Sequence, residues 1–308
     1  MRRGGLTDTP TTPVRELITG KKAPLGDGTD VRRVLPTLGR RMVGAWCFFD
    51  HYGPDDLSAS AGMQVPPHPH TGLQTVSWLL DGTVHHRDSL GHDVVISPGS
   101  LGLMTAGHGI SHSEQSPVPH PALLHGTQLW VALPDGARDV APAFEHHTAL
   151  PTLAVDDADI RVVLGTFGGV TSPGTTHSPL VGLDVTVAGR AVLPLEPDFE
   201  YAAVAVDAGV SVDGVDLPIG SLLYLGTGRH SLPVDGTGRL MLLGGEPFAE
   251  QIVMWWNLLG RSHDEIEQFR GQWQDADSRF GSVPGWHGER TPAPPLPGGR
   301  LRPRGAAG

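Results

Sequence analysis

Cysteine is almost absent from this chain of 308 residues, in which Cys47 is the only one. A single cysteine cannot form an internal disulfide, so a cystine-stabilised fold and a cysteine-rich zinc site are excluded. No apolar run approaches the ~18 residues that a membrane-spanning helix needs. Residues 1–13 contain no hydrophobic segment of the kind that a secretory signal requires. We therefore expect a cytoplasmic protein with no membrane partner.

Positive charge is also scarce. The chain has 22 lysines and arginines against 33 aspartates and glutamates, which gives a formal net charge of −11. Because phosphate recognition needs clustered positive charge, this balance argues against direct nucleic-acid binding and leaves room only for a small local basic patch. A chain of this length, 39% of it apolar, can bury a sizeable core.

Short apolar stretches, bounded by turn-forming residues, recur along most of the chain. They lie at residues 75–80, 94–96, 128–133, 183–187, 201–206, 209–215 and 222–225. Short strands separated by turns are typical of an all-β sandwich or barrel. The 42 glycines and 28 prolines agree with many tight turns.

An internal repeat indicates two related barrels in tandem. Residues 96–107 align without a gap on residues 217–228, and the identical pairs include Gly99 with Gly220 and Ser100 with Ser221. We place the first barrel at residues 31–150.

The second barrel is expected at residues 151–283, together with a helix from Ser262 to about Arg279. That helix is predicted by a capping box at its start and by apolar side chains spaced along one face. Residues 1–30, rich in Thr, Pro and Gly, are expected to be a flexible lead-in. Residues 284–308, rich in Pro, Gly and Arg, are expected to be a disordered tail.

Histidine is abundant, and eleven of the sixteen fall within residues 68–147. His68 and His70 would project from one face of a strand, and so would His112 and Glu114. On facing strands these pairs would bring three imidazoles and one carboxylate to a single ion, although surface histidines are the simpler alternative. A set without thiolate suits Fe(II), Mn, Co, Ni, Cu or Zn. With one carboxylate, a divalent ion keeps about one positive charge and favours an anionic ligand.

These residues resemble the pirin family of the cupin superfamily. Residues 68–82, HPHTGLQTVSWLLDG, are similar to the pirin stretch HPHxGxxTVxYLxxG, and residues 104–114, MTAGHGISHSE, are similar to MTAGxGIxHSE. The resemblance covers roughly residues 31–280. Further similar segments are HRDSLG at 86–91, GEPF at 245–248, IVMWWN at 252–257 and RSHDEI at 261–266.

The resemblance implies a bicupin of two antiparallel jelly-roll barrels, with metal ligands at His68, His70, His112 and Glu114. It implies iron, Fe(II), as the usual ion. The second barrel is expected to hold no metal, because the repeat places Pro233 opposite the third histidine and offers no second histidine pair.

Two positions depart from the family pattern. Gln74 stands where relatives often have Glu or a small residue, and we expect it beside the ligands. His108 stands where relatives usually have Arg, which leaves the choice of substrate open. The histidines at 85, 86, 92 and 120 are expected at the surface, and Trp255 and Trp256 are expected to serve packing.

The resemblance implies a flavonol dioxygenase that opens quercetin between C2 and C3 with O₂ and releases carbon monoxide. Glu114 would then be both a ligand and the general base that takes the 3-hydroxyl proton. The alternative is an iron-dependent regulator that acts through protein partners without turnover. A different cupin enzyme, such as a sugar isomerase, is a weaker option because the MTAG stretch is typical of pirins.

Overall fold

The computed structural model describes residues 13–26 and 29–307, which form strands and one helix. In the first half of the chain the strands are β1 (Glu16–Thr19), β2 (Lys21–Leu25), β3 (Thr29–Leu35), β4 (Trp46–Asp56), β5 (Gln64–His70), β6 (Leu73–Asp81), β7 (Val84–Asp88), β8 (Asp93–Ile96), β9 (Leu101–Thr105), β10 (Ile110–Gln115), β11 (Leu123–Ala132) and β12 (Ala143–His147). Each apolar stretch that the sequence predicts here lies in a strand or on its end.

In the second half the elements are β13 (Thr152–Val155), β14 (Ala158–Phe167), β15 (Val170–Thr171), β16 (Leu180–Pro194), β17 (Glu200–Ala205), β18 (Val210–Val212), β19 (Val215–Asp216), β20 (Ser221–Gly226), β21 (Ser231–Gly245), β22 (Val253–Trp255), β23 (Leu258–Gly260) and α1 (His263–Gln274). Within the described ranges, no helix is both long enough and apolar enough to cross a membrane.

The strands build two antiparallel barrels, which confirms the predicted all-β bicupin with a C-terminal helix. In the first barrel a sheet of order β12-β9-β6-β11-β4-β3-β2 faces a smaller sheet of order β5-β10-β7-β8. The two sheets share buried apolar side chains, such as Leu79 against Val84. In the second barrel the main order is β1-β20-β17-β21-β16-β14-β13, and its interior is packed with apolar side chains.

The repeated segment forms the same turn in both barrels. Ser100 N donates to Ser97 O, and Ser221 N donates to Pro218 O, each at 3.0 Å. The third position of each turn is a glycine in the left-handed region, Gly99 at φ +81° and Gly220 at φ +70°. Glycine adopts that conformation without steric cost, and the two turns lead into β9 and β20.

The barrels meet across a common apolar layer, to which both contribute buried side chains. Trp46, at the start of β4, is 1% exposed and reaches into the second barrel. Its indole N–H lies 3.2 Å from both Val181 O and Gly244 O. The apolar layer joins the two barrels through packing rather than through the covalent linker alone.

The expected flexible lead-in is instead built into both barrels where the structure describes it. Strand β1 pairs with β20 of the second barrel, with Glu16 opposite Tyr224, and β2 pairs with β3 of the first. The pairing of β1 with β20 joins residues about 200 positions apart, so the Thr, Pro and Gly content near the start does not show it. Residues 1–12, 27 and 28 lie outside the described residues.

The helix begins where the sequence predicts and ends earlier than predicted, at Gln274. Ser262 is its N-cap and accepts a hydrogen bond from Glu265 N, and Ile266, Phe269 and Trp273 are buried. The expected end near Arg279 is wrong, because no buried apolar side chain continues the stripe over residues 274–279. Ala276, at φ +55°, turns the chain away.

The expected disordered tail instead lies along the protein over residues 284–307. Thr291 N donates to Pro67 O at 2.8 Å, and Arg304 exchanges two backbone hydrogen bonds of 2.9 Å with Ile252. Ala293 is 5% exposed and packs with the apolar face of the helix. Backbone and side-chain hydrogen bonds, such as the one from Trp273 Nε1 to Thr291 O at 2.9 Å, therefore anchor a segment that has few apolar residues.

Candidate metal centre

Three histidines come together inside the first barrel. Strands β5 and β10 are antiparallel neighbours, with His68 directly opposite His112 and His70 opposite Ile110. The ligand atoms of His68, His70 and His112 all lie within 4.8 Å of one another, and the three rings are buried. The alternation of side chains along a strand therefore places the HxH pair on one face, as the sequence predicts.

The hydrogen bonds behind these rings fix their tautomers. His68 Nδ1 donates to Pro66 O at 2.9 Å, and His70 Nδ1 donates to Asn257 O at 3.0 Å, because a carbonyl can only accept. Both Nε2 atoms are then unprotonated in the neutral rings and carry lone pairs. Carbonyl partners of this kind typically hold metal-ligating imidazoles.

The third imidazole is oriented by a histidine and an aspartate behind it. Asp88 Oδ2 accepts from His86 Nε2 at 3.2 Å, and in this tautomer of His86 the atom Nδ1 is an acceptor. His112 Nδ1 lies 3.4 Å from that atom and donates to it. This arrangement leaves the lone pair of His112 Nε2 pointing into the barrel.

The three lone pairs fit a cation. His70 Nε2 and His112 Nε2 lie 3.1 Å apart, and the tautomers assign a lone pair to each. Two facing lone pairs repel unless a proton or a metal ion lies between them. Neutral imidazole nitrogens are ligands for the divalent transition metals, so the donors present here match such an ion.

Burial keeps these imidazoles neutral. It lowers the pKa of His68 to about 4, although the hydrogen bond to Pro66 O opposes the shift. Burial, followed by the charge of the neighbouring histidines, lowers the pKa of His70 and of His112 well below the usual value. Neutral rings are the form that binds metal, so protons do not compete near pH 7.

Glu114 lies in the same interior, 5% exposed. Its carboxylate forms a second group with His86 and His112 whose ligand atoms lie within 4.8 Å of one another. Ser77 Oγ donates to Glu114 Oε1 at 3.0 Å. Burial raises the pKa of Glu114, while His86 and the hydrogen bond from Ser77 oppose the shift. The two groups share His112, which links all four predicted ligands.

A cavity of about 290 Å³ opens beside these side chains and is lined by His68, His70 and Glu114. Phe48 and Trp130 form one wall, with ring centroids 4.0 Å apart and planes 13° from parallel. Arg33, Gln128, Trp256 and Asn257 also line it. The volume is at the lower end of the range for small-molecule sites.

The guanidinium of Arg33 lies over the Phe48 ring, 4.5 Å from its centroid. It also pairs through two nitrogens with the buried Asp50, at 2.8 and 2.7 Å. The ion pair holds Arg33 in one orientation at the cavity wall. The wall is therefore aromatic and carries a guanidinium whose charge Asp50 balances.

Some site residues were missed by the sequence reasoning. His86 was expected at the surface but is 1% exposed and stacks on Phe144, with centroids 4.1 Å apart. The available signal was the spacing of His86 and Asp88, because residues two apart in a strand share a face, as His68 and His70 do. Trp256 was assigned to packing; it does pack against the apolar cluster beside the helix, and it also lines the cavity.

The two departures from the family pattern lie away from the ligands. Gln74 shares a face of β6 with Val76, which packs in the layer between the barrels, and its amide donates to Thr105 Oγ1 and Thr175 O. Ser77, on the opposite face, is the residue of this strand that reaches Glu114. The expectation that Gln74 contacts the ligands is therefore wrong. His108 is exposed in the turn before β10.

The fold and the histidine cluster define a bicupin with a His/Glu group able to hold a metal ion in its first barrel. The chain belongs to the pirin family. The pirin family model matches residues 28–131, and the model of the pirin C-terminal cupin domain matches residues 181–281.

Individual relatives extend this similarity over nearly the whole chain. A Pseudomonas aeruginosa protein that carries the provisional name quercetin 2,3-dioxygenase is 43% identical over 284 residues, covering 91% of this chain and 90% of that protein. A pirin-like protein of Caulobacter vibrioides is 35% identical, with coverage of 86% and 94%. The crystal structure of an Acinetobacter baumannii quercetin 2,3-dioxygenase has a TM-score of 0.91 and 41% identity, with coverage of 94% and 97%.

Proposed function

We propose that this protein is an Fe(II)-dependent dioxygenase that opens flavonols such as quercetin. The observation that carries the proposal is the set of three buried imidazole lone pairs beside a cavity with aromatic walls. The names of the relatives from Pseudomonas and Acinetobacter support the same reaction. His68, His70 and His112 would hold the ion through Nε2, and Glu114 through its carboxylate.

The bound ion would supply Lewis acidity toward the substrate hydroxyl and the redox chemistry that reaction with O₂ requires. The chain supplies orientation. Phe48 lies between Arg33 and Trp130, so the outer face of the Trp130 ring is the aromatic surface left for a planar flavonol to stack on. Arg33 holds a guanidinium in a fixed position on the same wall, and its remaining N–H groups are free to donate to an oxygen of the flavonol, while Asp50 balances its charge.

Glu114 is the residue that we assign to proton transfer. Its carboxylate accepts the 3-hydroxyl proton of the flavonol, and burial raises the pKa of this group, so it binds a proton more readily than an exposed glutamate does. Ser77 holds Oε1 by a hydrogen bond of 3.0 Å. The buried walls limit the access of water to the reacting substrate.

The direct test is the loss of quercetin absorbance by the Fe(II)-loaded protein in the presence and absence of O₂. We expect O₂-dependent loss with release of carbon monoxide in equal amount to the quercetin consumed. The metal-free protein is the control for spontaneous oxidation. Absence of turnover by protein with one iron per chain would contradict the proposal.

Glu114→Gln is expected to lower kcat/KM for quercetin by about a hundredfold or more, since a positioned general base typically contributes 10²- to 10⁴-fold. Iron binding is expected to fall less steeply, because the three imidazoles remain and the glutamine oxygen still accepts from Ser77. Turnover and iron content are measured on the same preparation. Full turnover by the variant would contradict the role of Glu114 as base.

His86→Ala is expected to weaken iron binding by about 10- to 100-fold, the usual effect of removing a partner behind a ligand. The change removes the acceptor that orients His112, whereas His86→Gln keeps an acceptor and should recover part of the affinity. Competition with a chelator under anaerobic conditions measures the affinity. His85→Ala is the matched control, because the neighbouring ring pairs with Asp93 near the surface. Equal effects of the two alanine variants would contradict this role.

A further inference from the structure

Four arginines line one cavity beside the C-terminal segment. The cavity has a volume of about 440 Å³, and we call it the arginine pocket. Its charged lining consists of Arg41, Arg300, Arg302 and Arg304, and its remaining lining of Ile252, Val253, Met254 and Leu301. None of these residues lines the cavity beside the three histidines, so the arginine pocket is separate from the proposed dioxygenase site.

The C-terminal segment brings the arginines together. Arg304 exchanges backbone hydrogen bonds of 2.9 Å with Ile252 in both directions, and Arg41 N donates to Ala306 O at 2.9 Å. These bonds hold the C-terminal segment beside Arg41, in the stretch of chain that leads into β4. Arginine occupies every second position over residues 300–304, a spacing that places alternate side chains on one side of an extended chain.

The charges in this pocket are poorly balanced. No carboxylate is among the described residues that line it, and the ion pair of Arg300 with Asp264, at 2.7 Å, is exposed. Within residues 13–26 and 29–307, Arg41, Arg302 and Arg304 have no ion-pair partner within 4.0 Å. The Nε atom of Arg41 is buried and has no hydrogen-bond partner there. A net charge of −11 makes this gathering of like charge unusual for the chain.

The clustering has a free-energy cost that an anion would remove. Burial lowers the pKa of Arg41, and the positive charge of Arg304 lowers it further, so the guanidiniums disfavour one another's charge. A buried donor without a partner adds a desolvation cost. Phosphate oxygens match the planar fork of guanidinium and accept two hydrogen bonds from each one.

We propose that the arginine pocket binds a small molecule that carries two phosphate groups. Three of the four guanidiniums have no carboxylate partner in the described part of the chain, and their combined charge of about +3 exceeds the charge of about −2 on one phosphate group. A volume of 440 Å³ accommodates a compact ligand. A nucleic acid is disfavoured because the rest of the surface is acidic and would repel its backbone.

Fructose 1,6-bisphosphate is a suitable probe, titrated calorimetrically into the iron-loaded protein at constant ionic strength. We expect saturable binding of one molecule per chain. The double variant R302A/R304A is expected to bind at least about tenfold more weakly, because each lost charge-assisted contact typically costs that much. R302K/R304K keeps the charge without the fork and should give an intermediate affinity.

Arg190→Ala is the matched control, since this arginine is 74% exposed and lies 3.7 Å from a single carboxylate. We expect this variant to bind fructose 1,6-bisphosphate with an affinity within about twofold of that of the unmodified protein. Metal content and melting temperature, measured for every variant, identify any that is misfolded, and the titration of the unmodified protein does not depend on the variants.

Three results would overturn the proposal. The first is the absence of saturable binding to the unmodified protein at millimolar bisphosphate. The second is equal affinity for tricarballylate, which would show general attraction of anions. The third is competition by a short RNA that displaces bound bisphosphate at a lower concentration than unlabelled bisphosphate does.

Discussion

His112→Ala is expected to abolish iron binding at one ion per chain and to reduce quercetin turnover by about a thousandfold or more, equivalent to ~4 kcal/mol of transition-state stabilisation. His112 belongs to both groups of ligand atoms, and its Nε2 lies 3.1 Å from that of His70. Its removal leaves two histidines and separates them from Glu114. Elemental analysis and quercetin absorbance measure the two effects on one preparation.

His108→Ala is the control for this variant. His108 precedes the same strand, is exposed, and contacts none of the ligands through its ring. We expect iron content and turnover within about twofold of the unmodified protein, as for an ordinary surface substitution. Retention of one iron per chain by His112→Ala would contradict the assigned ligand set.

A third outcome would separate the enzyme from the regulator. If the unmodified protein holds one iron per chain and does not consume quercetin, the dioxygenase proposal fails while the metal centre stands. The iron-dependent regulator then becomes the better hypothesis. Its test is a pull-down in which partner capture differs between the Fe(II) and Fe(III) forms and is lost in His112→Ala.

Trp46→Ala is expected to lower the free energy of unfolding by about 3–5 kcal/mol, the usual cost of deleting a large buried aromatic side chain. The indole lies at the interface of the barrels and is 1% exposed. Its deletion also removes the N–H donor that Val181 O and Gly244 O share. Trp46→Phe keeps most of the apolar contact and should cost about 1–2 kcal/mol, chiefly through the lost hydrogen bonds.

Chemical denaturation followed by circular dichroism measures this effect. Because both barrels contribute to the layer around Trp46, we expect them to unfold in one transition in the unmodified protein. Leu38→Ala is the control, since that side chain is 84% exposed and should change stability by less than about 0.5 kcal/mol. A decrease of less than about 1 kcal/mol in the free energy of unfolding of Trp46→Ala would show that the interface between the barrels contributes little to stability.

Several features could be predicted because they depend on neighbours in the chain. The alternation of side chains along a strand is fixed by backbone geometry, so His68 and His70 had to share a face once β5 formed. The helix start at Ser262 follows from the local capping pattern, and the matched glycines at 99 and 220 mark the same turn in both barrels.

Other features could not be read from local pattern. His86 lies behind His112 because β7 pairs with β10 in one particular register, with Asp88 opposite His112. The alternation of His86 with Asp88 shows that the two side chains share a face of β7, but not that this face lies behind His112. Gln74 was placed beside the ligands because relatives often have Glu or a small residue there, and the alternation along β6 instead turns it toward the second barrel.

The sequence by itself determined the all-β class, the tandem barrels, the pirin resemblance and the residue types that suit a metal ion, since composition, periodicity and motif spacing are local properties. Only the tertiary structure decided that β1 joins the second barrel, that the C-terminal segment packs beside Arg41, and that His86 orients His112. Those contacts join residues that are distant along the chain. Strand register and the docking of extended segments select them, because each depends on which unpaired backbone groups and apolar faces the rest of the fold leaves open.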